Sequence, residues 1–220
     1  EYCVAPVQNA WLVPKSMDLE QAALLEPFAT GVHAVEESSL KAGDSCVIEG
    51  PGPIGLCTAL AARALGVAAI VITGLKIDED RLALARRMGF KTVCASDRDW
   101  IEQTRAMLPA DGADVVFDAA GFLDSVRHII RRNGELVEVG WPARDISNTE
   151  MRSLFFHGVK IIPSRVRVPQ TWRRSIAIAA SGAVDLKPMV THRYDLDHGV
   201  EAFELLRNKQ GVKALIMPRA

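Results

Sequence analysis

Three glycines at fixed spacing are the residues whose chemistry is easiest to read. They lie in Gly50-Pro51-Gly52-Pro53-Ile54-Gly55, directly after the apolar run Cys46-Val47-Ile48-Glu49. A strand that runs into a helix through G-x-G-x-x-G suits the diphosphate of a dinucleotide. The first glycine permits the tight turn, the second lets a pyrophosphate approach the backbone with no Cβ in the way, and the third brings helix and sheet together. The unpaired N–H groups and positive dipole end of the helix then face the phosphates. Ordinary strand–turn–helix connections also use glycine. The strand before this turn, the helix after it and a second strand at the right distance favour dinucleotide binding.

Such a turn needs a sheet and flanking helices to hold it, and the sequence supplies both. A helix is expected over 18–37, capped by Asp18 and kinked or divided at Pro27. From Ser45 the pattern is βαβ: strand 46–49, helix 54–65, and the apolar, β-branched strand 68–73. Asp78 is expected to cap a helix to Met88 that Gly89 ends. Then follow strand 91–94, helix 98–108, strand 114–118, helix 123–130, strand 135–139, helix 149–157 and strand 160–162. Six short strands alternating with helices predict an α/β fold, a Rossmann-type doubly wound parallel sheet that binds ligands at the carboxyl ends of its strands. After Pro163 the pattern changes to helices at 171–180 and 195–208 and a last strand at 212–217. The expected organisation is a connector over 1–30, a dinucleotide-binding domain over 31–165, and a C-terminal segment over 166–220.

Composition narrows the function classes. The chain has 220 residues, 26 basic against 27 acidic, and a formal net charge of −1. No nucleic-acid footprint is visible in that balance. The pairs Arg86-Arg87, Arg131-Arg132 and Arg173-Arg174 read as solvated helix faces. Cys3, Cys46, Cys57 and Cys94 are far apart with no C-x-x-C, and Cys46 and Cys57 fall at core positions, as in a reduced cytoplasmic protein. No apolar run approaches a membrane span, and no signal peptide opens the chain. Glu1-Tyr2-Cys3-Val4 lacks an initiator Met and reads as mid-strand, so a portion of a longer protein is expected.

These residues also carry a resemblance. Ala22-Ala23-Leu24-Leu25-Glu26-Pro27, the Gly50–Gly55 turn, and Arg81-Leu82 with Ala85 and Met88-Gly89 are similar, in order, to motifs of the medium-chain, zinc-dependent alcohol dehydrogenases. So are Asp114–Asp118 with Gly121, Gly134 with Val139-Gly140, and the tail with Leu196, Ala202-Phe203 and 213–218. The polyol and threonine dehydrogenase branch is the nearest in kind. The resemblance implies a cofactor-binding portion flanked by short returns to a GroES-like catalytic domain outside this sequence. That domain would carry the catalytic-zinc Cys and His-Glu pair. It also implies NAD or NADP as cofactor, zinc in the whole enzyme, and a small alcohol or polyol as substrate. A homodimer or homotetramer paired along strand 160–162 is implied in the same way, with no nucleic-acid or membrane partner.

The resemblance assigns further positions. Gly74 stands at the end of the second strand, where similar enzymes carry an acid that bridges the adenosine ribose hydroxyls and repels a 2′-phosphate. Lys76 and Arg81 could instead receive that phosphate, Arg81 bidentately. Lys76 reads equally as a solvated loop lysine, and Asp78 as a helix cap rather than a ribose contact. Between NAD and NADP the sequence leaves the choice open. Ala120-Gly121 and Val139-Gly140 fall at the nicotinamide ribose, Ser164-Arg165 at the nicotinamide end or pyrophosphate, and Thr30 on the helix side turned toward the nicotinamide. Glu26 is the one metal candidate, as ligand or second-shell acceptor to zinc. His33, His128, His157, His192 and His198 show no metal spacing, and Trp141 reads as a cofactor cover or an ordinary interface aromatic. No residue receives a catalytic role. Two other readings stand beside the secondary-alcohol dehydrogenase: a zinc-free quinone or enoyl reductase, and a non-catalytic NAD(P)-binding module.

Overall fold

The computed structural model describes residues 4–121, 125–141, 145–165 and 168–218. Its centre is a sheet of six parallel strands: β1 (Ser45–Glu49), β2 (Ala69–Gly74), β3 (Lys91–Cys94), β4 (Ala113–Asp118), β5 (Ile130–Glu138) and β6 (Lys160–Pro163). Their spatial order is β3-β2-β1-β4-β5-β6, so the direction of winding reverses between β1 and β4. Every residue of β1 is buried, which is why its centre, Cys46-Val47-Ile48, is apolar on both faces rather than alternating.

Alternate strand residues feed two cores. Cys46, Ile48, Val115, Phe117 and Val137 face a layer containing α2 (Leu25–Glu37), α3 (Pro53–Leu65), α4 (Glu79–Arg87) and α8 (Pro169–Ala180). Val47, Val71, Val93, Val116 and Leu136 face the opposite layer, with α5 (Trp100–Arg105), α6 (Val126–Ile129) and α7 (Asn148–His157). Cys46 and Cys57 are buried free thiols, and Cys57 Sγ lies 3.9 Å from Met189 Sδ.

The N-terminal helix divides at Leu24 rather than at Pro27, into α1 (Leu19–Ala23) and α2. Pro27 is in the first turn of α2, where its missing N–H has no internal acceptor to lose. Asp18 caps α1 by accepting the Glu20 N–H at 2.8 Å. Asp78 stands at the N-cap position of α4, as expected, but it also ends a 3₁₀ turn, Lys76–Asp78, and its carboxylate accepts the Leu75 N–H rather than a first-turn N–H of α4.

The C-terminal segment departs most from the sequence reading. It forms β7 (Val190–Asp195), α9 (Gly199–Arg207) and β8 (Lys213–Met217), with β7 and β8 paired in parallel. Asp195 ends β7, and its carboxylate accepts the His198 N–H at 3.0 Å, so the helix starts four residues later than the reading placed it. Leu186, Met189, Val190, Val212 and Leu215 share one continuous core with Ile48 and Phe117.

Candidate functional site

The first βα turn shapes the site. Gly50 leaves β1 at φ +101°, a left-handed conformation that L side chains rarely adopt, and its N–H donates to the Thr73 carbonyl at 2.9 Å. A Cβ on Gly55 would stand 1.9 Å from the Gly50 carbonyl oxygen, so only glycine lets α3 begin this close to the strand. Gly52 differs: a Cβ there would meet no protein atom within 4 Å. Pro53 opens α3, and Ile54 and Gly55 bring first-turn N–H groups that the helix itself cannot pair.

Beyond this turn lies a 560 Å³ cleft over the carboxyl ends of β1, β2 and β4. Gly50, Pro51 and Gly52 form its floor, with Ala119 and Ala120 beside them after β4. Thr73, Gly74, Leu75, Asp78 and Arg81 form the wall beyond β2. Trp100, Ile101, Ser125 and His128 form the opposite wall, and Lys209 reaches in from the C-terminal segment. The cleft straddles the β1/β4 reversal, the place where doubly wound sheets bind ligands.

Among the residues singled out in the sequence, Gly50, Gly52, Gly74, Arg81 and Ala120 line this cleft. Pro53, Ile54 and Gly55 lie behind its floor in α3. Lys76 does not line it; its N–H donates to Ser96 Oγ at 3.0 Å. Gly121 N–H donates to Asp118 Oδ1 at 2.7 Å, and the Val139 and Gly140 N–H groups donate to the Asp118 carbonyl at 2.9 and 2.8 Å. Ser164 is buried beyond β6 with its N–H on the Glu138 carbonyl, Arg165 and Trp141 are exposed, and Thr30 is half-buried on α2. Lys209, Trp100, Ile101, Ser125 and His128 escaped sequence reasoning as cleft residues. They come from turns and short helices distant in sequence, and no local motif marks them.

A row of acids backs the site. Register pairs Glu49 with Asp118 and Asp118 with Glu138, so three carboxylates stand side by side on one face at the ends of β1, β4 and β5. Glu49 accepts a short hydrogen bond from Ser125 Oγ. Asp118 Oδ1 accepts the Ala120 and Gly121 N–H groups, which fixes the turn after β4. Both Glu138 carboxylate oxygens are buried without a hydrogen-bond partner among the described residues. Burial, with Asp118 adding to it, pushes the Glu138 carboxyl up to about 7. Burial and the nearby Arg127 hold His128 below the usual imidazole range.

Glu26 is exposed in the first turn of α2. Among the described residues no three His, Cys, Asp or Glu side chains gather as a metal site, so these residues do not by themselves fit a zinc ion. The glycine floor does fit a dinucleotide, because the space a Cβ would take at Gly52 is open.

Comparison with known proteins agrees with this geometry. The family model described as zinc-binding dehydrogenase matches residues 53–181, more than half of the chain. The chain belongs to that family. D-arabitol-phosphate dehydrogenase of Enterococcus avium is 31% identical over 220 residues, covering 98% of this chain and 62% of that protein. L-threonine 3-dehydrogenase of Bacillus velezensis is 31% identical over 224 residues, covering 99% and 64%. The crystal structure of a zinc-binding dehydrogenase of Sinorhizobium meliloti, bound to NADP, superposes with a TM-score of 0.81 at 27% identity, over 97% of this chain and 64% of that one. The chain therefore spans less than two thirds of the length of these zinc-binding dehydrogenases. NAD(P) and zinc are the cofactors typical of the family.

Proposed function

We propose that this chain is the NAD(P)-binding portion of a dehydrogenase that moves a hydride between a secondary alcohol and a nicotinamide. A polyol or hydroxy-amino acid fits the relatives, which are named for arabitol phosphate and threonine. The observation that carries the reading is the open glycine floor at the β1/β4 reversal, with α3 starting directly behind it. Gly50, Gly52 and the first-turn N–H groups of α3 would cradle the diphosphate. Trp100 and Ile101 would flank the adenine, and Ala120, Gly121, Val139 and Gly140 would hold the ribose on the nicotinamide side. A bound nicotinamide supplies the hydride acceptor. What the protein contributes is orientation of the ring and exclusion of water.

Thr30, Ser164 and Arg165 belong to the nicotinamide end in this reading, and Glu26 to a metal site completed by residues outside this sequence. A second copy would pair along β6, whose Ile161 is exposed, as are Phe155 and Phe156 of α7.

The test is quenching of tryptophan fluorescence on titration with NADH and, separately, NADPH. Trp100 lines the cleft, so saturable quenching by either nucleotide is the expected result. A folded protein that binds neither overturns the reading.

A further inference from the structure

Resting on that reading, we infer that the cleft selects the 2′-phosphorylated dinucleotide, and that Lys209 is the residue that sets the choice. In doubly wound sheets the adenosine ribose lies at the carboxyl end of the second strand, where an acid favours a free 2′-hydroxyl and a cation favours a phosphate. Here that end is Gly74, and a Cβ on it would stand 2.8 Å from both Cγ and Cδ of the Pro51 ring. The approach of Pro51 therefore keeps a carboxylate out of this position. Asp78 is the acid that remains on this wall, and it is already engaged: Oδ2 accepts the Leu75 N–H at 3.2 Å and Oδ1 lies 3.8 Å from Arg81 Nη1.

Two cations face the same end from elements far apart in sequence. Arg81, on α4, lines the cleft and donates from Nε to the Gly211 carbonyl at 3.0 Å. That bond holds the turn carrying Lys209 against α4. Lys209 is exposed, lines the cleft, and has φ +58°. It occupies the left-handed position that ends α9, with its N–H on the Leu206 carbonyl and the Gln210 N–H on the Leu205 carbonyl, both at 3.0 Å. Glycine is the usual residue at such a helix end, because a Cβ there crowds the backbone carbonyl. A lysine at that position carries a cost to stability, and its ammonium group at the adenosine end of the cleft gives that cost a function. Lys76, the lysine closest in sequence to β2, is off the cleft.

The two properties of Lys209 pull in opposite directions, and this makes the test decisive. Dissociation constants for NADPH and NADH, measured by fluorescence titration, are compared for the unaltered protein, Lys209→Gly and Lys209→Arg, with thermal unfolding recorded for each. NADPH is expected to bind at least about tenfold tighter than NADH. Lys209→Gly should cut that ratio about five- to tenfold while raising the unfolding temperature, and Lys209→Arg should keep the ratio. A preference for NADH in the unaltered protein, or an unchanged ratio in Lys209→Gly, overturns the inference and leaves the dinucleotide reading standing. Binding of neither nucleotide overturns both.

Discussion

At the scale of single residues, the three glycines of the turn do different work, and substitution separates them. Gly55 is packed against the Gly50 carbonyl, whereas Gly52 faces open space. Gly52→Val should therefore fold with an unfolding temperature within a few degrees of the parent while losing nucleotide affinity by about a hundredfold or more. Thermal unfolding and titration check the two halves, and undiminished affinity in a folded variant would remove the turn from the site. Glu138 makes a second residue-level prediction. Its folded-state pKa, about 7, lies above its ordinary value of 4.5, so between those values the native state holds more proton than the unfolded chain. The stability this contributes is complete below about pH 4.5 and is lost as pH rises through 7. Glu138→Gln should flatten that fall and be more stable than the parent at pH 8, by about 1 kcal/mol after allowing for solvent screening. Parallel pH profiles for the two proteins in urea unfolding would contradict it. The sequence showed the glycines because their spacing is local. It pointed to Lys76 and passed over Lys209 because which lysine lines the cleft depends on a turn more than a hundred residues away.

At the scale of elements, β1, β2 and β4 were legible because each is a short, largely buried run, whereas β5 starts at Ile130, five residues before the reading placed it. Strand 91–94 has the predicted bounds, β1 starts one residue early, and β2 is shifted by one residue at both ends. β7 was not legible. Its Thr191-His192-Arg193-Tyr194 core is polar and partly exposed, so neither alternation nor an apolar run marks it, and pairing with β8 decides its conformation. Helix ends were read within a few residues where a cap residue was present. α7 shows the local logic well: Ser147 Oγ accepts the Glu150 N–H at 3.2 Å, and Glu150 Oε2 accepts the Ser147 N–H at 2.8 Å. Ser147→Ala removes half of this reciprocal pair and should cost about 1 kcal/mol in denaturant unfolding. A loss near zero would mean that packing of Leu154 alone positions the helix.

At the scale of the whole molecule, the C-terminal segment closes back on the sheet rather than standing apart. Its apolar residues complete the core around α2 and α3, and Lys209, just past α9, lines the cleft. No periodicity within the segment announces either role, since both depend on where the chain returns. The contact of Cys57 Sγ with Met189 Sδ spans that junction, and it has a practical consequence. Burial pushes the Cys57 thiol up to about 12 and Cys46 further still, so in the native state neither offers a thiolate to an alkylating reagent. Their labelling becomes a clock for opening of the molecule. With iodoacetamide at pH 8 and peptide-resolved mass spectrometry, half-buried Cys94 should label before either of them. Cys46 and Cys57 should follow together, at a rate that a saturating nucleotide slows. If Cys57 labels well before Cys46, the C-terminal segment lifts away while the sheet stays closed, and the clock then times the detachment of that one segment.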